Sequence, residues 1–526
     1  MTVGARATTV TAGSDREPGM LAFVLHSHLP WLAHHGAWPV GEEWLYQSWA
    51  ASYLPVAEML GRLADEGRTD QLTLGVTPVL AAQLDDPYCL AAMHHWLGNW
   101  QLRAHEAALS GRPGTAPLGA REHRAAAHAL ELFESRWRHG GSPVLRGLAD
   151  AGTVELLGGP LAHPFQPLLH PRLREFALRE GLAYGRSRFG SEPGGLWAPE
   201  CAYKPGMEAD YQAAGVTHFM VDGPTLGGDT ALARPVGDSS VLAFGRDLAV
   251  SYRVWSPRSG YPGHAAYRDF YAIDHATGLK SSRVTGRTVP DHGKAPYDPE
   301  RAANAVEKHV ADFVETVRAR LRSESARIGR DALVVAAFDT ELYGHWWYEG
   351  PAWLEQVLRA LPEAGIEVGT LRLAAERGYV GAPRDIAASS WGSGKDWRVW
   401  EGPQVREFTE LNEDITASVL RVLDKRAEVV FGRDPVADQV LTEALLTLQS
   451  DWPFMVSKDT AAGYARDRAY KHAHALREIA DAAERGDEHR ARELSAAWRR
   501  ADAPFPDLDA RRLPGPNTPL AGGRIA

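Results

Sequence analysis

Two carboxylates end apolar runs in this sequence, and aromatic residues follow each at once. The first is Glu200, in Gly195-Leu196-Trp197-Ala198-Pro199-Glu200-Cys201-Ala202-Tyr203, with a turn signal at Lys204-Pro205-Gly206. The second is Asp339, 139 residues later, in Val334-Val335-Ala336-Ala337-Phe338-Asp339-Thr340-Glu341-Leu342-Tyr343-Gly344-His345-Trp346-Trp347. A short apolar run that stops at a carboxylate reads as a buried strand delivering that side chain to a loop. In a barrel of alternating strands and helices, the C-terminal strand ends carry the chemistry. Two carboxyl groups facing each other across a bond are what glycoside chemistry requires. One acts as nucleophile or base, and the other protonates the departing oxygen. The apolar Phe338 and the adjacent indoles would raise the acid's pKa by desolvation. Asp339 comes first at the strand terminus and is the preferred acid, leaving Glu341 to orient His345, itself a candidate sugar contact. The competing readings are structural: Glu200 as a helix cap or Arg partner, Asp339 and Glu341 as polar loop residues.

A second constellation is His26-Ser27-His28-Leu29-Pro30-Trp31, at the end of the apolar run 21–25. A His-x-His pair at a strand end can bind metal, with His163 or Asp222 as third ligand. It can equally hydrogen-bond sugar hydroxyls, or belong to the core. The reading adopted is sugar binding, with no metal and no other cofactor. Arg253 and Trp255 close a further apolar run, 249–255, and are candidate sugar contacts. The chain holds 17 Trp, many in Gly- or Pro-punctuated segments. Indole faces stack on flat apolar surfaces such as sugar rings.

These residues need elements to hold them. Apolar runs at 21–25, 71–78, 153–158, 195–200, 218–222, 249–255, 332–338 and 370–373 predict strands, and the segments between are largely helical. That alternation predicts an α/β barrel with a parallel sheet of about seven strands. Residues 87–148 are Ala-rich and helical, too long for a crossover, and read as a helical insertion. Residues 298–322 carry apolar side chains at helical spacing. The segment 223–241 is rich in Gly, Pro and Asp and predicts a mobile loop near Glu200. The chain then divides into a leader (1–19) without order, a catalytic barrel (20–388), an all-α C-terminal domain (389–503) and a loose tail (504–526).

A net charge of −10 and a pI near 6.1 argue against nucleic-acid or anionic-membrane partners. Two cysteines, Cys89 and Cys201, offer no disulfide framework and point to a reducing, cytoplasmic setting. No apolar run approaches the roughly 20 residues that span a bilayer. Residues 1–19 have no apolar core typical of a secretory signal. A monomer or weak homo-oligomer is expected.

Five spaced motifs resemble those of glycoside hydrolase family 57, over about residues 20–475. They are His26-Ser27-His28-Leu29-Pro30, Val154-Glu155-Leu156-Leu157-Gly158-Gly159 running to His163, Trp197-Ala198-Pro199-Glu200-Cys201, Phe338-Asp339-Thr340-Glu341 running to Trp347, and Ser389-Ser390-Trp391-Gly392. The resemblance implies a distorted (β/α)7 barrel of TIM type and a retaining mechanism, with Glu200 as nucleophile and Asp339 as acid/base. Gly36-Ala37-Trp38-Pro39, Glu42-Glu43-Trp44, Ser390-Trp391 running to Trp400, and Ser450-Asp451-Trp452-Pro453-Phe454 are similar to the family's α-1,4-glucan branching enzymes. The resemblance implies an acceptor groove lined by Trp38, Trp44, Trp391 and Trp400, and sugar binding by Asp451. An α-glucan such as amylose or glycogen is the implied substrate, and glycogen biosynthesis the implied setting. One departure is that the stretch 227–240 lacks the Tyr that covers the site in those enzymes. Alternatives are a 4-α-glucanotransferase or α-amylase on the same scaffold, a metal-dependent carbohydrate deacetylase built on His26 and His28, or a non-catalytic glucan-binding protein.

Overall fold

The structure is a computed structural model that describes residues 16–38, 40–110, 115–191 and 193–520. The expected leader lies outside the described residues up to residue 15. Strand β1 (Met20–Ser27) is buried along all eight residues. It lies between β2 (Leu72–Val76) and β8 (Leu333–Asp339), parallel to both. The parallel order continues from β2 through β3 (Val154–Gly158), β4 (Gly195–Leu196) and β5 (His218–Asp222) to β7 (Leu242–Arg246). These seven strands form the barrel wall. A short β6 (Arg234–Pro235) pairs antiparallel with β7, and β9 (Glu367–Gly369) lies parallel along Met20–Ala22 of β1. The seam between β7 and β8 carries no ladder. There the Asp247 amide, one residue past β7, donates to the Val335 carbonyl at 2.8 Å.

The period-2 alternation of β1 separates two cores. Met20, Ala22 and Val24 pack inside the barrel with Trp197, Met220, Phe244, Val335 and Ala337. Leu21, Phe23 and Leu25 point outward and pack under the helices, where the Phe23 ring lies 5.9 Å from Phe313. Coverage on both faces explains why this strand reads as an unbroken apolar run.

The expected insertion contains helices Pro87–Leu109, Thr115–Leu132 and Gly141–Asp150. Beyond the barrel the chain is helical at Arg406–Val429, Pro435–Thr447, Asp451–Ser457, Ala462–Glu484 and Glu488–Arg499.

Four expectations need correction. The run 249–255 is not a strand but part of the helix Leu248–Trp255, and 370–373 opens the helix Leu371–Glu376. In both, the deciding signal is a cap: Asp247 accepts from the Val250 amide, and Thr370 from the Leu373 amide. The segment 223–241 is packed rather than loose. Leu226, Ala233 and Val236 are buried, and the backbone bonds Ala233 to Tyr379 and Arg384 to Pro235. The tail is fastened as far as Pro514. Phe505, Leu508 and Leu513 are buried, and Arg172 donates to the Pro514 carbonyl at 2.5 Å. Residues 521–526 lie outside the described residues.

Candidate active site

Strand periodicity aims two of the candidate residues. On β8, Leu333, Val335 and Ala337 face the barrel interior; Asp339 continues that face, two residues on. On β1, Met20, Ala22 and Val24 do the same, and His26 follows. The ladder pairs His26 with Asp339 directly. Glu200 arrives by another route. Strand β4 is two residues long, and the chain turns through Pro199 into Glu200 at φ 60° and Cys201 at φ 48°. Ala162 and His163 are likewise at φ 56° and 50°. A non-glycine residue in this left-handed region costs on the order of 1–3 kcal/mol and persists only where surrounding contacts enforce it.

Those contacts are visible at Glu200. Its Oε2 accepts from the Trp391 indole at 2.9 Å, and its Oε1 accepts from the Ser450 hydroxyl at 2.9 Å. Its carbonyl also accepts from the Trp391 amide at 2.9 Å. Ser450 Oγ lies 2.9 Å from His163 Nδ1, and His163 Nε2 lies 3.2 Å from His26 Nε2.

These distances fix a direction. The single Ser450 proton goes to Glu200, so Ser450 must accept from His163 Nδ1–H. Neutral His163 then accepts at Nε2 from His26 Nε2–H. The remaining His26 Nδ1, unprotonated in that tautomer, is buried without a partner. Burial holds both imidazoles far below the usual pKa, with nearby His28 adding to the effect, so both are neutral. The result is a chain of donors ending on the Glu200 carboxylate.

Neighbouring groups close the site. His26 stacks on Trp197 with centroids 4.3 Å apart, and His28 on His163 at 3.7 Å. His28 Nε2 contacts both Asp451 oxygens, at 3.0 and 3.2 Å. The His28 amide donates to Glu341 Oε1 at 3.1 Å, and the Tyr53 hydroxyl donates to the same oxygen at 2.5 Å. Trp391 meets Trp197 edge to face at 5.2 Å and Trp255 in a stacked pose at 6.0 Å. The Arg246 guanidinium lies 5.2 Å from the Trp391 ring.

Electrostatics follow from burial. Burial pushes Glu200 up to about 7, against the opposing hydrogen bond from Trp391. Asp339 rises well above the usual carboxylate range, through burial first and then the Glu341 and Glu200 charges. Glu341 also rises to about 7 by burial, against its bond from Tyr53. Near neutral pH Glu341 and Glu200 can both ionise while Asp339 keeps its proton, so Glu200 and Asp339 stand in opposite states. That is the division of labour between a nucleophile and an acid.

His28, His163 and Asp451 bring their ligand atoms within 4.8 Å of one another. Two imidazoles and a carboxylate can hold a divalent transition metal. Asp222 is not part of this set: Arg246 pairs with it at 2.8 Å and Lys395 at 2.6 Å.

Several expected residues stand elsewhere. Arg253 pairs with Asp312 on the neighbouring helix, under Tyr261, and is not brought to the carboxylates. His345 touches neither carboxylate; its amide donates to Ser52 and its ring meets Phe270 at 5.3 Å. Glu341 therefore serves Tyr53 and His28, not His345. Trp400 is buried behind the site, stacked on Phe165 at 4.5 Å, with its indole donating to the Ser450 carbonyl. Trp44 packs beside Tyr464 at 6.2 Å, and Trp38 is 72% exposed. Sequence reasoning missed Ser450, although it immediately precedes Asp451, and missed Tyr53, which sits in a π-helical turn (Trp49–Tyr53) rather than at a strand end.

The comparisons with known proteins place the whole chain in a family. A model of glycosyl hydrolase family 57 matches residues 22–381, and one of the 1,4-alpha-glucan branching enzyme C-terminal region matches residues 411–512. A probable 1,4-alpha-glucan branching enzyme of Mycobacterium tuberculosis is 64% identical over 517 residues, 94% of this chain and 98% of that protein. The crystal structure of a family 57 branching enzyme from Thermococcus kodakaraensis, in complex with glucose and additives, superimposes with TM-score 0.90 at 28% identity, covering 95% of this chain and 97% of that one. A branching enzyme of the same type from Pyrococcus horikoshii gives TM-score 0.88 at 28% identity, covering 95% and 98%. The chain belongs to glycosyl hydrolase family 57, among the members that carry the branching-enzyme C-terminal region.

Proposed function

We propose that the chain is a 1,4-α-glucan branching enzyme that acts by retaining transglycosylation. The observation that carries this reading is the pairing of an ionisable Glu200, held by Trp391 and Ser450, with a buried, proton-bearing Asp339. Asp339 protonates the departing α-1,4 oxygen while Glu200 attacks the anomeric carbon. The donor chain is then held as a glycosyl ester on Glu200. Asp339, now ionised, takes the proton from an acceptor O6, and the new α-1,6 bond releases Glu200. The bond from Ser450 to Oε1 leaves Oε2 shared with one indole, a light restraint on an attacking atom.

Transfer wins over hydrolysis when a sugar hydroxyl reaches the ester before water does. Trp197, Trp255 and Trp391 form an aromatic wall beside Glu200 that supports this. His26, His28, His163 and Asp451 are assigned to the donor sugar, and Trp38, Trp44 and Trp391 to the acceptor side. Trp400 supports the site from behind through Ser450. We further propose that residues 20–388 act as the catalytic barrel, and that 389–503 complete the site through Trp391, Ser450 and Asp451. Free, buried Cys89 and Cys201 support a cytoplasmic setting, where the substrate would be a storage glucan of glycogen type.

The test is to incubate the protein with amylose and count α-1,6 linkages by proton NMR alongside reducing ends. New α-1,6 signals with few new reducing ends are expected. Reducing ends alone would make the chain an amylase. Redistributed chain lengths with neither would make it a 4-α-glucanotransferase.

A further inference from the structure

A cavity of about 500 Å³ opens on the flank of the barrel, and neither Glu200 nor Asp339 lines it. Its walls are the insertion helices Pro87–Leu109 and Thr115–Leu132, the loop around 268–280, and residues 344–349 after β8. The volume lies within the range of about 300–1,000 Å³ common to small-molecule sites. Aromatic rings line it in two pairs: Trp96 with Trp100 at 6.0 Å, and Phe270 with Trp346 at 4.3 Å.

The charges on this wall are unequally served. Each carboxylate already has a protein partner. Glu43 accepts from the Trp96 indole, Glu122 pairs with Arg268 at 2.7 Å, and Asp269 pairs with Lys294 at 2.8 Å. Glu58 pairs with Arg62 and His128, and Glu349 accepts from the Arg268 amide. Apart from Arg268, the Arg and Lys side chains are different. Among the described residues, Arg103, Arg121 and Lys280 line the cavity with no carboxylate in ion-pair reach. Arg103 Nε is buried with no hydrogen-bond partner. Its guanidinium lies against Gly278, where a Cβ would meet Nη1 at 2.9 Å, two residues from Lys280. Lys280 Nζ sits 3.7 Å from the centre of the Phe270 ring. Burial, and then Arg268, hold its pKa down at about 8.

A neutral glucan has no use for unpaired cations. Cations without counterions beside paired aromatic rings fit a ligand that brings both an anion and a ring. We infer that this cavity binds a phosphate-bearing ring compound, a sugar phosphate or a nucleotide, with its phosphate between Arg103 and Lys280 and its ring on the indole wall. The reading is independent of the one proposed for Glu200 and Asp339.

The experiment is isothermal titration of the full chain with glucose 1-phosphate, AMP and inorganic phosphate, each in saturating maltotriose so that the glucan site is filled. One-to-one binding of glucose 1-phosphate or AMP is expected, tighter than inorganic phosphate and weakening as salt rises. Whichever of the two binds more tightly names the source of the phosphate. Arg103→Gln and Lys280→Gln should each weaken binding at least about tenfold, with melting temperatures unchanged. Glu200→Gln should leave it intact. If Arg103→Gln misfolds, Lys280→Gln, on a surface loop, decides alone. No binding by either ring compound overturns the inference, as does binding that Lys280→Gln leaves unchanged or that Glu200→Gln abolishes.

Discussion

Two clusters in this molecule are built from the same parts. His28, His163 and Asp451 meet at the barrel mouth, and His35, His472 and Asp502 meet among the C-terminal helices. Both are buried or nearly so, and both add a further glutamate: Glu200 at the mouth, Glu443 among the helices. What separates them is one guanidinium. Arg468 donates to His472 at 2.9 Å and lies entirely inside the second cluster. Burial there pushes Asp502 up, but His472, His35 and Arg468 pull it back below the usual range, so it stays charged and paired. Glu443 goes the other way, raised by burial and by Asp502, and keeps its proton. Every charge in that cluster is settled, and the cluster acts as a rivet. At the mouth no cation touches Glu200. An indole and a hydroxyl hold it, and its pKa near 7 leaves it free to change state. An unsettled charge is what chemistry uses, and a settled one is what a scaffold uses.

The largest effect expected on this contrast comes from Glu200→Gln. Turnover on amylose should fall at least about 10³-fold with the fold retained. The stability change has a worked sign. The folded pKa is raised from 4.5 to about 7, so the stability tied to the protonated form is fully present below pH 4.5 and lost as pH rises through 7. The variant should therefore be more stable than the parent at pH 8, by roughly 3 kcal/mol, with no difference below about pH 4.5. Urea titrations at both pH values check this, and an unstable variant at pH 8 would contradict the burial argument.

Arg468→Met tests the other side. It removes the guanidinium that donates to His472 and helps hold Asp502 charged, and should cost about 1–3 kcal/mol of stability, while turnover per folded molecule stays unchanged. Lost turnover with intact stability would show that the two clusters are not as different as proposed. A smaller effect belongs to Ser450→Ala. Losing a hydrogen bond to a charged group is worth about 1.5–3 kcal/mol, so kcat/KM should drop roughly 10- to 100-fold. The acid limb of its pH profile, set by ionisation of Glu200 near pH 7 in the parent, should move to higher pH. The smallest effect is expected from chelation. Prolonged dialysis against EDTA should leave branching unchanged, and its loss would make His28, His163 and Asp451 a metal site.

The sequence carried the barrel well where side-chain alternation is forced by burial on both faces, as in β1 and β8, and for the same reason it placed His26 and Asp339 at strand ends. It carried less where one polar residue overrides an apolar run. Asp247 and Thr370 each cap a helix that reads as strand because its first turn is rich in aliphatic residues. The packing of 223–241 was hidden because its Gly and Asp residues read as loop, while the bonds that hold it come from Tyr379 and Arg384, about 150 residues away. Ser450 and Tyr53 were invisible for a related reason: neither lies at a strand end, and only the tertiary fold brings them to Glu200 and Glu341. The tail looked loose from its Pro and Gly content, yet Phe505, Leu508 and Leu513 find apolar cover.

The Glu200 carboxyl is held by Trp391 and Ser450, and β1 needs β8 to finish its edge. During synthesis the ribosome delivers Glu200 nearly two hundred residues before the first of those holders and 250 before the second. A nascent or prematurely terminated chain thus carries the Glu200 carboxylate without the groups that orient it. If Glu200 acts as proposed, such fragments are inert toward α-glucan, and activity arrives only with the C-terminal helices.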